Sequence, residues 1–247
     1  EEVAAEVKIE EHRNLGVAFY KTGMLDEAVR EFRRVAELRP DDLGARFYLG
    51  LAHLRLGKWS EALTHQRDAR DLCGAAGLIE LQAIAQITLA SYLSGLDQRD
   101  LAKRELQGAL ALARSHNLLR IESQAHLALG LLHGLDRAYQ PAMQSYVDAA
   151  KSAEAADEPI LAIEAWRMAG QLAGQIGQDD AAANALHEAL RVATGVPVEA
   201  RKTTSAPEAA RQLAVICERH GMTAQAASLY AQADAMEAGK ETDHVGE

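Results

Sequence analysis

Histidines pose the first chemical question in this sequence. His126 and His133 stand seven residues apart and fall roughly on one face of a helical stretch. A helical metal pair is normally spaced i, i+3 or i, i+4, and no acidic third ligand stands between these two. His53 and His133 occupy inward positions, which reads as core histidine rather than ligand. Cys73 and Cys217 are far apart with no C-x-x-C, so neither a disulfide framework nor a zinc site is indicated. There is no G-x-S-x-G, no phosphate-cradling glycine loop and no carboxylate pair at a strand end. The reading is a chain without catalysis, cofactor or metal.

Charge narrows the partners. A formal net charge of -10 argues against a phosphate backbone, which needs a concentrated cationic surface. Arg30, Arg33 and Arg34 sit among Glu27, Glu31 and Glu37 and read as a solvated helix face. No run approaches the ~18 to 20 apolar residues of a membrane span. The opening segment EEVAAEVKIEEHRN lacks the basic flank and apolar stretch of a signal peptide, which predicts a cytoplasmic location. It opens on Glu rather than Met, as a piece of a longer protein would.

The elements behind these residues are written in small side chains. Ala28, Ala62, Ala102, Ala142, Ala182 and Ala226 are spaced 34, 40, 40, 40 and 44 residues apart. Twelve residues before each stands Gly16, Gly50, Ala90, Gly130, Gly170 or Ala214; seven after stands Val35, Ala69, Ala109, Ala149, Ala189 or Ala233. Three positions that stay small in step predict one helical hairpin built six times, stacked so that neighbours share a core. With 5 Pro, 4% aromatics and 48% hydrophobic residues, the class is all-α.

In the first hairpin Leu15, Gly16, Phe19 and Tyr20 give helix A its stripe, and Ala28, Phe32 and Val35 give helix B its own. Gly16 and Ala28 keep the two axes close enough for ridges to enter grooves. Gly23, Gly57, Gly177 and Gly221 are placed as left-handed caps after A helices. Asp26, Ser60, Asp100 and Asp180 are placed to cap the B helices. Pro141 falls in the first turn of its B helix, where a missing N–H costs little. Later cores lean on Leu89, Leu106, Leu129, Tyr146, Trp166 and Leu186, and TGVPVEARKTTSAPEAA reads as an extended connector with a looser join.

The stretch LGVAFYKTGMLDEAVREFRRVAELRPDD resembles the tetratricopeptide repeat: Leu15, Gly16, Phe19, Gly23, Ala28, Phe32 and Pro40 fill that family's places. The second unit keeps Leu49, Gly50, Gly57, Trp59, Ala62 and Ala69 but has His53 and Gln66 where bulky apolar residues are usual. The resemblance implies a right-handed α-α superhelix, a single array over 1–238 with repeats at 9–42, 43–76, 83–116, 123–156, 163–196 and 207–238. A disordered tail follows at 239–247.

In that family the A helices line a concave groove that binds proteins or peptides. Carrying the first unit's register along the chain assigns Val17, Tyr20, Phe47, Leu51, Leu54, Ile84, Ile87, Leu127 and Leu131 to its floor. Arg13, Arg167 and Arg211 fall where they would position acidic groups of a ligand. The family's carboxylate clamp needs cations and asparagines at places held here by Arg13, Val17, Tyr48, Ile84 and Thr88, so only one cation remains. The function implied is a binding scaffold or adaptor. Three alternatives stand beside it. Ala45 to Leu63 is similar to the second repeat of bacterial secretion-type chaperones. The 40-residue period resembles peptide-sensing segments of regulators. Leu229, Tyr230 and Met236 on the last helix suggest self-assembly, a homodimer through terminal helices.

Overall fold

In the computed structural model, residues 2–239 are described, with side chains from Glu6 onward, and all regular structure among them is helical. The chain forms two compact units, one ending at His116 and the other beginning at Asn117. The first holds α1 (Glu2–Thr22), α2 (Leu25–Leu38), α3 (Leu43–Arg55), α4 (Trp59–Ala75), α5 (Ile79–Gly95) and α6 (Arg99–Ser115). The second holds α7 (Leu119–Leu135), α8 (Tyr139–Ala155), α9 (Pro159–Gln175), α10 (Asp179–Thr194), α11 (Val198–Arg201), α12 (Ala206–Arg219) and α13 (Thr223–Glu237). The expected tail lies, Gly239 apart, outside the described residues.

Close approach explains the small-residue lattice. Ala28, Ala62, Ala102, Ala142 and Ala182 are fully buried. A methyl added to Gly16 would meet the Phe32 ring at 2.9 Å. One added to Gly170 would meet Leu186 at 2.6 Å and the Ala182 carbonyl oxygen at 3.1 Å, where rigid backbone cannot yield. Phe32, Leu49, Leu89, Leu93, Leu106, Ile163, Leu186 and Leu213 fill the space so defined. Leu15 departs from its expected stripe and is 48% exposed. Its counterpart Leu49 packs with Phe32 of the preceding hairpin, and among the described residues no helix precedes α1.

The turns repeat more finely than the hairpins. Residues in the left-handed region fall at Gly57, Gly77, Asp97, Asn117, Arg137, Asp157 and Gly177, each 20 residues after the last. Helices α4 to α9 are each 17 residues long, so each step is one helix and a three-residue turn. In these turns the N–H of the third residue past the helix reaches back, as Lys58 to the His53 carbonyl at 2.8 Å, Gln98 to Leu93 at 2.8 Å and Gln178 to Ala173 at 2.9 Å. Gly23, Gly57, Gly177 and Gly221 take the left-handed role expected of them. The same geometry enters and leaves α4, α6 and α8, a regularity that the glycines alone do not reveal because Asp, Asn and Arg hold it at Asp97, Asn117, Arg137 and Asp157.

Two local expectations are corrected. Asp26, Ser60, Asp100 and Asp180 do not cap: the N-cap positions belong to Met24, Lys58, Gln98 and Gln178, none with a side-chain cap bond. The short turn places each of those side chains inside the first helical turn, where the acids act on the helix dipole instead. The connector before α12 is folded rather than extended. It contains α11, and the Arg201 side chain donates to the carbonyls of Val196 at 2.9 Å and Thr194 at 3.0 Å. Val196 and Ala206 join the same core cluster as Ile163, Leu186 and Leu213, so the join to α12 is tight.

Candidate functional site

In the first unit the assigned floor lies on α1, α3 and α5. Phe47 (39%) and Ile84 (36%) are exposed, while Val17, Tyr20, Leu51, Leu54 and Ile87 are half-buried. An aromatic cluster stiffens one part of it. Tyr48 stacks on Phe32 with ring centres 4.8 Å apart, and Tyr20 and Phe47 meet Tyr48 edge-on at 5.6 and 6.0 Å. The Arg55 guanidinium lies 4.9 Å above the Tyr20 ring and donates to the Tyr20 carbonyl at 3.1 Å. On α5 the hydroxyls of Thr88 and Ser91 donate to the Ile84 and Ile87 carbonyls of their own helix. The surface between Ile84 and Ile87 is therefore apolar in practice.

In the second unit Leu127 is half-buried against Trp166 and its neighbours, and Leu131 is 53% exposed. Gly134 would meet no atom if it carried a methyl, and Leu135 is exposed beside it. Farther along, a cavity of about 260 Å³ lies between α9, α10 and α12. Gly170 and Gly174 open it, and Gln171, Gln175, Gln212, Val215 and Arg219 line it with Leu186 and Ile216.

The three assigned arginines are all compensated within their own unit. Arg13 meets Asp42 at 2.5 Å; Asp42, nearly buried, also caps α3 by accepting from the Ala45 N–H at 2.8 Å. That hydrogen bond raises the Arg13 pKa further. Arg167 donates to Glu164 at 2.7 Å and Gln171 at 2.7 Å and approaches Glu208 at 3.6 Å. The guanidinium holds the Glu164 carboxyl below its ordinary range, against the opposing push of burial. Arg211 bridges to Glu237 at 2.5 Å and Asp234 at 3.1 Å on α13. The one clamp-position cation, Arg13, is thus already the partner of an acid.

Tyr48 and Arg55 in the first unit and Leu135 in the second lie beside the assigned residues of their own units and are not part of the floor read from sequence. By sequence Tyr48 is only a clamp position, Arg55 is spaced like any solvated cation, and Leu135 sits one place beyond the register carried along the chain. On the last helix Leu229 and Met236, read as end-contact residues, are buried in the chain's own core, and the Tyr230 hydroxyl donates to Glu218 at 3.3 Å. His126 is buried and lies 3.8 Å from Glu122, while His133 is half-buried. Among the described residues no helix is long and apolar enough to cross a membrane.

Comparison with known proteins bears on the fold. Residues 13–76 match the family model of the tetratricopeptide repeat. No curated protein matches the chain. Among solved structures, the chain is similar to MamA at 21% identity, covering 76% of this chain and 92% of that one with a TM-score of 0.58. It is similar to BtubC (BKLC) from P. vanneervenii at 17% identity, covering 99% and 96% with a TM-score of 0.66. A third likeness is to a signal transduction ATPase with numerous domains and a tetratricopeptide repeat sensor, from Pyrococcus horikoshii. There the identity is 16%, the coverage 95% of this chain and 37% of that one, and the TM-score 0.75. Residues 13–76 thus carry the tetratricopeptide repeat, and the hairpins that follow share the fold of the solved structures to which the chain is similar.

Proposed function

We propose that the chain is a scaffold that binds a protein or peptide through the face made by the first helices of its hairpins, and that it performs no chemistry of its own. The observation that carries this is the exposure of large apolar side chains at register positions on those helices: Phe47, Ile84 and Leu131 are not consumed by hairpin packing. Such a surface suits the apolar face of an amphipathic helix or an extended segment. Arg13, Arg167 and Arg211 enter this reading as braces that fix the helices carrying the floor, since each already has acidic partners. The proposal treats 1–238 as one array, and the buried free thiols Cys73 and Cys217 fit a reducing, cytoplasmic setting.

The test is partner capture from extract with mass spectrometry, comparing the wild type with Leu51→Glu and Leu127→Glu. Capture is expected to fall away while helicity stays unchanged. Equal capture by both variants would remove the floor from the reading.

A second reading is favoured by the cavity beside Gly170 and Gly174. Its three amide side chains could hold the backbone of a short peptide or a small polar ligand, as a sensing segment would. Small-angle scattering across a ligand panel separates the two, because a sensor tightens on binding and a passive scaffold does not.

A further inference from the structure

The second hairpin of the first unit is filled differently from its neighbours. Over Gly16 lies the Phe32 ring and over Gly170 lies Leu186, but over Gly50 lies the side chain of Gln66. Gln66 is fully buried, and neither its Oε1 nor its Nε2 has a hydrogen-bond partner. One turn along α3, the ring of His53 stacks on that of His65 from α4, with centres 5.3 Å apart and planes 11° from parallel. His53 is buried, both Nδ1 atoms are out of solvent, and neither has a partner. An unpaired buried polar group is costly, and this hairpin holds several together.

We propose that this hairpin is an acid-sensitive joint: when His53 and His65 take up protons, α3 loosens from α4 and carries its share of the docking face with it. Two imidazolium rings at this separation repel, and burial withholds the water that would offset their charge. Burial lowers the affinity of each ring for a proton. Lys58 in the turn and Arg33 on α2 add to that for His53, as Arg46, Arg33 and His53 itself do for His65. Glu61 and Asp26 favour a proton on His53, and Asp68 favours one on His65, by less than burial opposes it. Helix α5, packed on α4, carries only Glu80 and Tyr92 as titratable groups.

The sign follows from proton counting. The opened hairpin binds more protons than the closed one below the ordinary histidine pKa of about 6.5, so closure weakens as pH falls through that range. Each histidine multiplies the opening constant by up to about tenfold per pH unit.

Hydrogen–deuterium exchange of the full chain at pH 7.5 and 5.5, corrected for intrinsic rates, tests the joint. Protection over α3 and α4 is expected to fall at pH 5.5, by up to about tenfold for each histidine, while α9 and α10 hold theirs. In His53→Phe, which places an aromatic where Phe19 stands in the first hairpin, and in His65→Leu, the difference should shrink or vanish. An equal fall in α9–α10, or an unchanged fall in both variants, would overturn it; should the variants not fold, the contrast between the two wild-type hairpins decides alone. Only the docking consequence rests on the proposed binding role, and exchange reads the joint whether or not that role holds.

Discussion

The second and fifth hairpins share a skeleton and differ in their filling. Gly50 and Gly170 let the helices approach, Ala62 and Ala182 are fully buried, and Gly57 and Gly177 close the turns in the left-handed region. Inside that frame the fifth places Leu186 and Ala173, and the second places Gln66 and His53. Backbone path therefore follows the small residues, while the strength of closure follows the large ones. Positions that permit close approach decide which fold forms, and the side chains covering them decide how firmly each hairpin is shut.

The largest effect that would sharpen this contrast is Leu186→Ala, expected to lower stability by about 2 to 5 kcal/mol through lost burial and the cavity left behind. Chemical denaturation measures it; a loss well under 1 kcal/mol would mean that the fifth hairpin is not held by its filling. The mirror change, Gln66→Leu, is expected to raise stability by about 1 to 3 kcal/mol by removing unpaired polar atoms from the second hairpin. A stabilised melt with unchanged circular dichroism would confirm it, and a loss would show that Gln66 has a partner in solution. Helix starts give a smaller difference. Asp42→Ala should cost about 1 to 2 kcal/mol because it removes the α3 cap and strands Arg13. Glu158→Ala at the start of α9, where Pro159 opens the helix without a side-chain cap, should change the melt by no more than about 0.5 kcal/mol. Smallest is Arg137→Gly in the α7–α8 turn, expected to gain about 0.5 kcal/mol by relieving a left-handed φ of 57°.

How far the sequence could be read depends on the kind of position. Gly16, Ala28 and their counterparts are legible because steric exclusion leaves few residue types acceptable, so the same types recur at the same interval. Left-handed turns are legible at Gly23, Gly57, Gly177 and Gly221 and hidden at Asp97, Asn117, Arg137 and Asp157, whose residue types do not demand the geometry they hold. Asp42 was hidden for another reason: a capping acid looks like any surface acid until its N–H partner and Arg13 are in view. Register alone placed Phe47, Leu51, Ile84 and Leu131 on first helices, because helical periodicity projects directly onto a face. It could not reveal that Asp42, Glu208 and Glu237 brace Arg13, Arg167 and Arg211, since those acids come from other helices or from the far side of a turn; only Glu164, three residues before Arg167 on α9, is within reach of a spacing argument.

The equal spacing of the turns from Gly57 to Gly177 has a consequence for how such a chain can change in length. With the same three-residue closure entering and leaving α4, α6 and α8, copying residues 138–177 in tandem meets a matching boundary at both ends. Growth by duplication of whole helix pairs thus demands no new loop, whereas gain or loss of a single helix would exchange first and second helices for everything downstream. A gene carrying this pattern can be lengthened by recombination in one allowed quantum, and its size is already written in the distance between left-handed residues.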